Sequence, residues 1–419
     1  MPTNSSHPNT FKLLLLILAG ESIFFLPFVL ARVFRPTFLA VFEITNLELG
    51  SLFSAYGVIA MVSYFFGGPL ADRFSPRLLM TIALLATGLG GIYLAYAPSF
   101  SALLWLYGFW GLTTILLFWA ALIKATRSLG GSSFQGRAFG FLEGGRGFIA
   151  AFAGTIAVGI FSWYLPEETG TGTIAEQQMA FQYVIFFFSG WVISIGLLIW
   201  IFFRSTQQDT SEEHPKISLD QVAHIAKEPK IWCQAIIIVC AYVGYKVTDD
   251  FSLLAKDILN YSEVEAAQVG ALALWMRMIA AIAAGFLADR IRQSSKVISW
   301  GFGVMILSGL AIGSGWLPQH IPYYYILAII STCLGVYAVR GLYFSLVQEA
   351  QIPLEISGTS IGLISVIGFT PDIFMGPLMG YLLDGNPGAL GHQLVFLLLA
   401  GFAFVGLVAT KFFQDSVKP

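Results

Sequence analysis

The stretch GPLADR at residues 68–73 decides the fold of this chain, because a near copy, GFLADR, returns at residues 285–290. Each copy closes a long apolar run and is followed by basic residues, among them Arg77 after the first copy and Lys296 after the second. The copies stand about half the chain length apart, so the chain consists of two related halves. In a chain this apolar, a repeat of such size predicts duplicated bundles of membrane helices.

The composition excludes an ordinary soluble protein. Of the 419 residues, 57% are hydrophobic and only 11% are charged, whereas soluble domains carry about 25% charged residues. The formal net charge of -2 argues against a nucleic-acid partner. Cys233, Cys240 and Cys333 lie inside apolar runs, and the five histidines are scattered over tails and loops. We therefore predict no metal centre, no cofactor and no enzymatic activity.

Twelve apolar runs have the length of membrane helices, which need about 20 mostly apolar residues each. The runs cover residues 11–34, 47–70, 77–97, 101–125, 136–162, 181–203, 231–254, 264–288, 297–316, 322–348, 357–383 and 390–412. They lack the period-two alternation of barrel strands. The sequence therefore predicts an all-α membrane protein with an N-terminal six-helix bundle (1–203), a polar linker (204–230) and a C-terminal six-helix bundle (231–419).

The distribution of basic residues predicts the orientation in the bilayer. If the N-terminus is cytoplasmic, the loops on that side carry most of the Lys and Arg, and the acidic stretch 166–176 falls on the opposite side. Because cytoplasmic loops are enriched in Lys and Arg, we expect both termini in the cytoplasm. The first apolar run lacks a cleavage site, so we expect it to stay as a helix in a bacterial-type inner membrane.

The repeated phrase, placed between the second and third runs of each half, resembles the loop signature of the major facilitator superfamily. The matching positions are Gly68, Asp72, Arg73, Arg77, Gly285, Asp289 and Arg290. The resemblance implies two pseudo-symmetric bundles that open a central site alternately to each side. Glycine permits close helix approach and Asp–Arg pairs form charge-assisted bonds, so we expect these residues to form a conformational latch. Ser75 and Pro76 depart from the family pattern, and we expect a different loop geometry there.

Two arginines of the second half are candidates for binding an anionic substrate, since a charge at mid-bilayer costs about 2.5–3.5 kcal/mol on insertion scales and marks a pathway. Arg277 has no acidic neighbour for many residues along the chain, so it needs either a substrate anion or a salt bridge to Asp372 or Glu21. Arg340 shares a helix face with Tyr337 and Tyr343. It either lines a polar cavity with them or forms a bridge to Glu143 or another acid across the bundle.

Three further groups of interior charges have two interpretations each. Arg146 either contacts substrate or pairs with Glu143, three residues away. Glu21 and Asp372 either carry a coupling proton or are permanent partners of arginines such as Arg277. The last group is either an outer gate or a helix end that reaches towards water; its members are Lys246, Asp249 and Asp250.

These residues predict a secondary active transporter of a small organic anion, working as a monomer by proton symport or by exchange. The resemblance extends to the organic-anion, sugar-phosphate and nitrate carrier branches of the family, with nitrate itself disfavoured. Two other functions stay open at this point. The first is a transporter-like receptor that senses a solute without net flux, and the second is a lipid-handling membrane protein.

Overall fold

The computed structural model describes residues 10–165, 172–203, 228–350 and 364–417, without the side chains of residues 130–141 and 143. The predicted linker, residues 204–230, lies almost wholly outside these ranges. All regular structure within them is helical.

Twelve helices in the described ranges are long and apolar enough to cross a membrane. They are α1 (Thr10–Val33), α2 (Asn46–Arg73), α3 (Pro76–Leu94), α4 (Phe100–Leu129), α5 (Gly144–Trp163), α6 (Ile174–Phe202), α7 (Pro229–Leu259), α8 (Glu263–Ile291), α9 (Ser294–Gly313), α10 (Pro322–Glu349), α11 (Ile364–Gly385) and α12 (Ala389–Val417). The shortest, α3, has 19 residues, which at 1.5 Å per residue is close to the roughly 30 Å hydrocarbon core. The predicted all-α membrane architecture with twelve helices is confirmed.

The helix boundaries differ from the apolar runs in several places; for example, α6 starts seven residues before its run and α12 ends five residues after its run. The backbone is helical without a break over Ala120–Trp163, across the polar stretch that separates the fourth run from the fifth. That stretch contains no proline, so nothing in it removes a backbone donor. Helix α7 continues to Leu259, five residues beyond the predicted end, through a 3-10 turn at Thr248–Asp250.

The chain separates into two compact units. Unit 1 holds Met1–Ile44, Ala55–Glu212 and Ser262–Leu274; unit 2 holds Thr45–Ser54, Glu213–Tyr261 and Trp275–Pro419. The first turns of α2 therefore belong to unit 2, and the first turns of α8 belong to unit 1. Helices α2 and α8 hold the same place in the two halves of the sequence. Each half therefore contributes the first turns of its second helix to the other unit.

Equivalent helix pairs form the main packing of each unit. In unit 1, α3 packs along α6, and in unit 2, α9 packs along α12. Glycines make both approaches possible: a Cβ added at Gly88 would lie 3.1 Å from the carbonyl oxygen of Ser189, and one at Gly309 would lie 2.9 Å from that of Phe396. Small residues at such crossings let helix backbones come close in a membrane protein.

The first copy of the repeated phrase forms the end of α2, and the residues that depart from the family pattern begin the next helix. Ser75 has extended backbone and its hydroxyl accepts a hydrogen bond from the backbone N–H of Leu78 at 3.3 Å, while Pro76 occupies the first helical position. Serine is a favoured N-cap and proline a favoured first residue. The two departures therefore define where α3 starts.

The glycines of the repeated phrase have open space around them in the described part of the chain. A Cβ added at Gly68 or at Gly285 would meet no described atom within 4 Å outside its own helix. The close approaches that need glycine among the described residues lie elsewhere, at positions such as Gly309. The latch itself stays a prediction.

A matched pair of glycines on α9 tests this packing. Gly309→Val places a side chain against a backbone carbonyl that cannot easily yield, whereas Gly303→Val, on the same helix, extends into open space. We expect Gly309→Val to be less stable than Gly303→Val by about 1–3 kcal/mol, the usual cost of overpacking. The measurement is thermal or denaturant unfolding in detergent micelles. Equal stabilities would contradict the close α9–α12 contact.

Candidate functional site

Residues from three helices of unit 2 form a charged cluster, which we define as Tyr242, Tyr245, Lys246, Asp249, Arg340 and Asp372. The four α7 members follow the i, i+3, i+4, i+7 spacing that places side chains on one helix face. Arg340 comes from α10 and Asp372 from α11. The sequence predicted most of these charges separately, and the fold of unit 2 brings them together.

The guanidinium of Arg340 lies against phenol rings. Its Cζ is 3.6 Å from the ring centroid of Tyr245 and 5.3 Å from that of Tyr242, within the range of cation–π attraction. The ring of Tyr337 lies 6.3 Å from that of Tyr245. The predicted neighbour Tyr343 is buried, at the start of a 3-10 turn that follows the regular helix.

Arg340 has no acid to neutralise it in the described part of the chain. Its Nη1 atom is buried without a hydrogen-bond acceptor there, and no described carboxylate lies within 4 Å of its guanidinium. The interpretation of Arg340 as one end of a permanent salt bridge finds no partner among the described side chains, and the side chain of Glu143, the partner named for it above, lies outside them. The described residues thus surround the guanidinium of Arg340 with phenol rings and leave its charge without a carboxylate, an arrangement that is costly in a protein interior.

Asp372 is held by two groups of α7. Its Oδ1 lies 3.2 Å from the Nζ of Lys246, and the hydroxyl of Tyr242 donates to its Oδ2 at 3.0 Å. Lys246 also lies 3.9 Å from Asp249, so two carboxylates share one ammonium. Pro371 and Asp372 form the first turn of a helical segment, where the helix dipole stabilises a negative charge.

The three residues grouped as a possible gate do not stay together. Lys246 and Asp249 belong to the charged cluster, whereas Asp250 contacts His392 of α12, with 2.7 Å between its Oδ2 and the histidine Nδ1. The Nε2 of His392 lies 3.3 Å from Asp257. Lys246, Asp249 and Asp250 are 1%, 4% and 0% exposed, so they do not form a helix end that reaches towards water.

His392 is a polar contact that the sequence analysis missed, because it stands alone in its run. The one signal was the spacing of Asp250 and Asp257, two turns apart on the same helix and suitable for a shared partner.

In unit 1, Glu21 and Arg146 form a buried ion pair. The Nε of Arg146 donates to the Oε2 of Glu21 at 3.1 Å, and their side chains are 8% and 3% exposed. The Cζ of Arg146 also lies 5.3 Å from the ring of Trp119 and 5.6 Å from that of Phe24. The partner of Glu21 is thus an arginine of its own unit. The alternative partner of Arg146, Glu143, has no described side chain.

Two π-helical segments border this pair. One, Phe25–Val29 in α1, starts next to Phe24, and the other, Leu112–Trp119 in α4, ends at Trp119. π-Helical turns inside α-helices occur often at functional sites. Both aromatic neighbours of Arg146 are therefore placed by an irregular turn that hydrophobic periodicity cannot reveal.

Three other residues that the sequence singled out differ in their exposure and contacts. Arg277 is buried, at 8% exposure, in α8. The guanidinium of Arg77 stacks at 4.2 Å on the ring of Trp200. Asp289 is exposed, next to Arg290 at the end of α8. The roles predicted for Arg277 in substrate binding and for the others in a latch stay predictions.

A double-mutant comparison tests the unit 1 pair. Glu21→Gln leaves a buried guanidinium without its charge partner, which costs about 3–5 kcal/mol when a buried pair is broken. Arg146→Gln should destabilise for the same reason. We expect the double variant Glu21→Gln/Arg146→Gln to unfold in detergent micelles at a higher temperature than either single variant. Additive losses would show that the two charges do not interact.

Comparison with known proteins places the chain in a family. The Major Facilitator Superfamily sequence model matches residues 14–370. The inner membrane protein YihN of Escherichia coli (strain K12) is 30% identical over 407 residues, which cover 94% of this chain and 93% of that protein. The inner membrane protein YqcE of the same organism is 30% identical over 376 residues, covering 87% of this chain and 84% of its own.

Two solved transporters share the fold at low sequence identity. A bacterial homologue of the human lysosomal transporter Spinster, in an inward-facing and occupied conformation, gives a TM-score of 0.75 at 16% identity, over 99% of this chain and 98% of that one. A point mutant of the nucleoside transporter NupG gives 0.72 at 12% identity, over 97% of this chain and 99% of that one. This multi-pass integral membrane protein belongs to the Major Facilitator Superfamily, whose members carry small solutes across membranes.

Proposed function

We propose that this protein is a secondary active transporter of a small organic anion, coupled to protons and located in a bacterial inner membrane. The observation that carries the proposal is Arg340, a guanidinium among phenol rings that has no carboxylate partner in the described part of the chain. The location rests on the relatives, which are named inner membrane proteins.

The chemistry around Arg340 suits a carboxylate or a phosphate group. Arginine presents a planar set of N–H donors that can bind such groups through two parallel hydrogen bonds. The rings of Tyr242 and Tyr245 stabilise the cation through their faces, and phenol hydroxyls can donate to further oxygen atoms. Arg277 and Arg146, both buried, are proposed as additional contacts to the substrate.

Charge balance in the cluster supports proton symport. Arg340 and Lys246 are positive and Asp249 and Asp372 are negative, so the cluster is neutral without substrate. A monovalent anion would leave it one negative charge in excess, in a place where uncompensated charge is costly. One proton taken up by a carboxylate restores neutrality. This balance predicts that one proton accompanies each monovalent anion.

Tyr242 connects the proposed anion site to the proposed proton site. Its hydroxyl donates to Asp372, while its ring lies over Arg340. Protonation of Asp372 would weaken that hydrogen bond, since a neutral acid is a poorer acceptor than a carboxylate. The ring that stabilises Arg340 would then lose its anchor. We propose Asp372 as the main proton carrier and Tyr242 as the residue that positions Arg340.

Replacing Arg340 tests the anion site. A panel of organic acids, sugars and sugar phosphates is first screened by thermal shift, and uptake of the ligand found is then measured in proteoliposomes. We expect Arg340→Lys to reduce uptake roughly 10- to 100-fold, because it keeps the charge but loses a charge-assisted bond of about 1.5–3 kcal/mol.

The control for this experiment is Arg127→Lys, which makes the same substitution at an exposed arginine outside the charged cluster. Unchanged anion uptake by Arg340→Lys would refute the anion site. Binding of the ligand without any uptake by the wild-type protein would indicate a solute sensor instead of a carrier.

Replacing Asp372 tests the proton coupling. Asp372→Asn should abolish accumulation driven by a pH gradient but keep exchange of labelled for unlabelled substrate. Glu265→Gln is the control, because it neutralises an exposed carboxylate that caps α8, and glutamine can form the same cap. If Asp372→Asn accumulates substrate under a pH gradient as well as Glu265→Gln does, Asp372 is not the residue that carries the proton.

A further inference from the structure

A cavity of unit 2 lies between the beginning of α9 and the end of α12. Its volume is about 420 Å³. Two lysines, one from each helix, line it together with a polar pair and an apolar wall. None of the residues that line it belongs to the charged cluster.

The cavity lies at the level where the bilayer meets water. Helix α9 has 20 residues, and at 1.5 Å each these span the roughly 30 Å hydrocarbon core, so that its ends lie at the two surfaces. Lys296 is in its first turn and Trp300 in its second, while Lys411 is in the last two turns of α12. Trp300 is 53% exposed, as expected for a tryptophan at the headgroup level.

Both lysines are available to a ligand. Lys296 and Lys411 are exposed, and in the described part of the chain no carboxylate lies within 4 Å of either ammonium group. Asp415, one turn beyond Lys411, does not line the cavity. The cavity therefore carries two positive charges that the described residues leave uncompensated.

A polar pair and an apolar wall complete the lining. The Nε2 of Gln414 donates to the hydroxyl of Ser299 at 3.2 Å, and that hydroxyl donates to the carbonyl oxygen of Ser295 at 3.1 Å. The Gln414 amide has a second N–H that can donate to a ligand oxygen. On the bilayer side, Leu407 lines the cavity, and Phe404, 59% exposed, extends the apolar surface along α12.

We propose that this cavity binds the phosphate of an anionic phospholipid. Lys296 and Lys411 contact the phosphate, Gln414 donates to one of its oxygens, and an acyl chain follows Leu407 and Phe404. Basic pockets between membrane helices bind anionic headgroups in this way. Inorganic phosphate can contact the two lysines and Gln414 in the same way, but it has no acyl chain to pack against Leu407 and Phe404. The site is independent of the proposed substrate, because it shares no residue with the charged cluster.

Native mass spectrometry of the purified full-length protein tests the proposal. The protein in detergent micelles is titrated with phosphatidylglycerol and, separately, with phosphatidylcholine of the same acyl chains. For the variant Lys296→Gln/Lys411→Gln we expect roughly 10- to 30-fold weaker binding of phosphatidylglycerol, since each lysine near a membrane surface contributes about a fivefold gain or more. Binding of phosphatidylcholine should not change.

The control variant is Arg73→Gln/Arg127→Gln, which removes two exposed charges that belong to unit 1 and do not line the cavity. We expect it to bind phosphatidylglycerol within about twofold of the wild-type protein, because the attraction falls off within a Debye length. If the two double variants lose phosphatidylglycerol binding equally, the proposal is overturned, because the lipid is then attracted by the overall positive charge of the surface and not by this cavity. Displacement of phosphatidylglycerol by millimolar inorganic phosphate would identify a free-phosphate site and overturn it as well.

Discussion

The structure depends on one constraint: a charge placed among apolar helices must find a counter-charge. In the described part of unit 1, Glu21 and Arg146 meet the constraint as a pair. In unit 2 it is met by sharing, since Lys246 lies between two carboxylates. Arg340 is the exception among the described residues, and its surroundings of phenol rings reduce the cost of burial without removing it. The same constraint thus separates the charges that have a described partner from Arg340, on which the proposed function rests.

The two halves repeat their packing and differ in their charges. The α3–α6 and α9–α12 pairs are equivalent, and each contains a glycine that allows the backbones to come close. The repeated phrase marks the same equivalence at the ends of α2 and α8. Packing is therefore the inherited part of the architecture. The buried ion pairs join equivalent helices with the charges exchanged, since Glu21 of α1 pairs with Arg146 of α5, whereas Lys246 of α7 pairs with Asp372 of α11.

The sequence was sufficient for the number and type of the helices, because the length of an apolar run is set by the thickness of the bilayer. It identified some of the charges that lie inside, such as Arg146 and Arg277, but not Arg32 and Arg35, which are 1% and 3% exposed. It could not assign their partners, since these depend on helix rotation and on contacts between distant parts of the chain. Arg146 and Glu21 are 125 residues apart, and His392 and Asp250 are 142 apart. Spacing along one helix grouped Asp250 with Lys246, whereas the packing of α12 against α7 gave it a different partner.

The π-helical segments of α1 and α4 have a consequence for how these helices present their side chains. A π-turn accommodates one extra residue without breaking the helix, and one residue corresponds to a rotation of about 100°. The faces of α1 before Phe25 and after Val29 are therefore out of phase, and the same holds for α4 on either side of Leu112–Trp119. A helical wheel drawn through either segment assigns residues on its far side to the wrong face. The two aromatic neighbours of Arg146, Phe24 and Trp119, lie at the ends of these segments, so the offset determines which way their rings face.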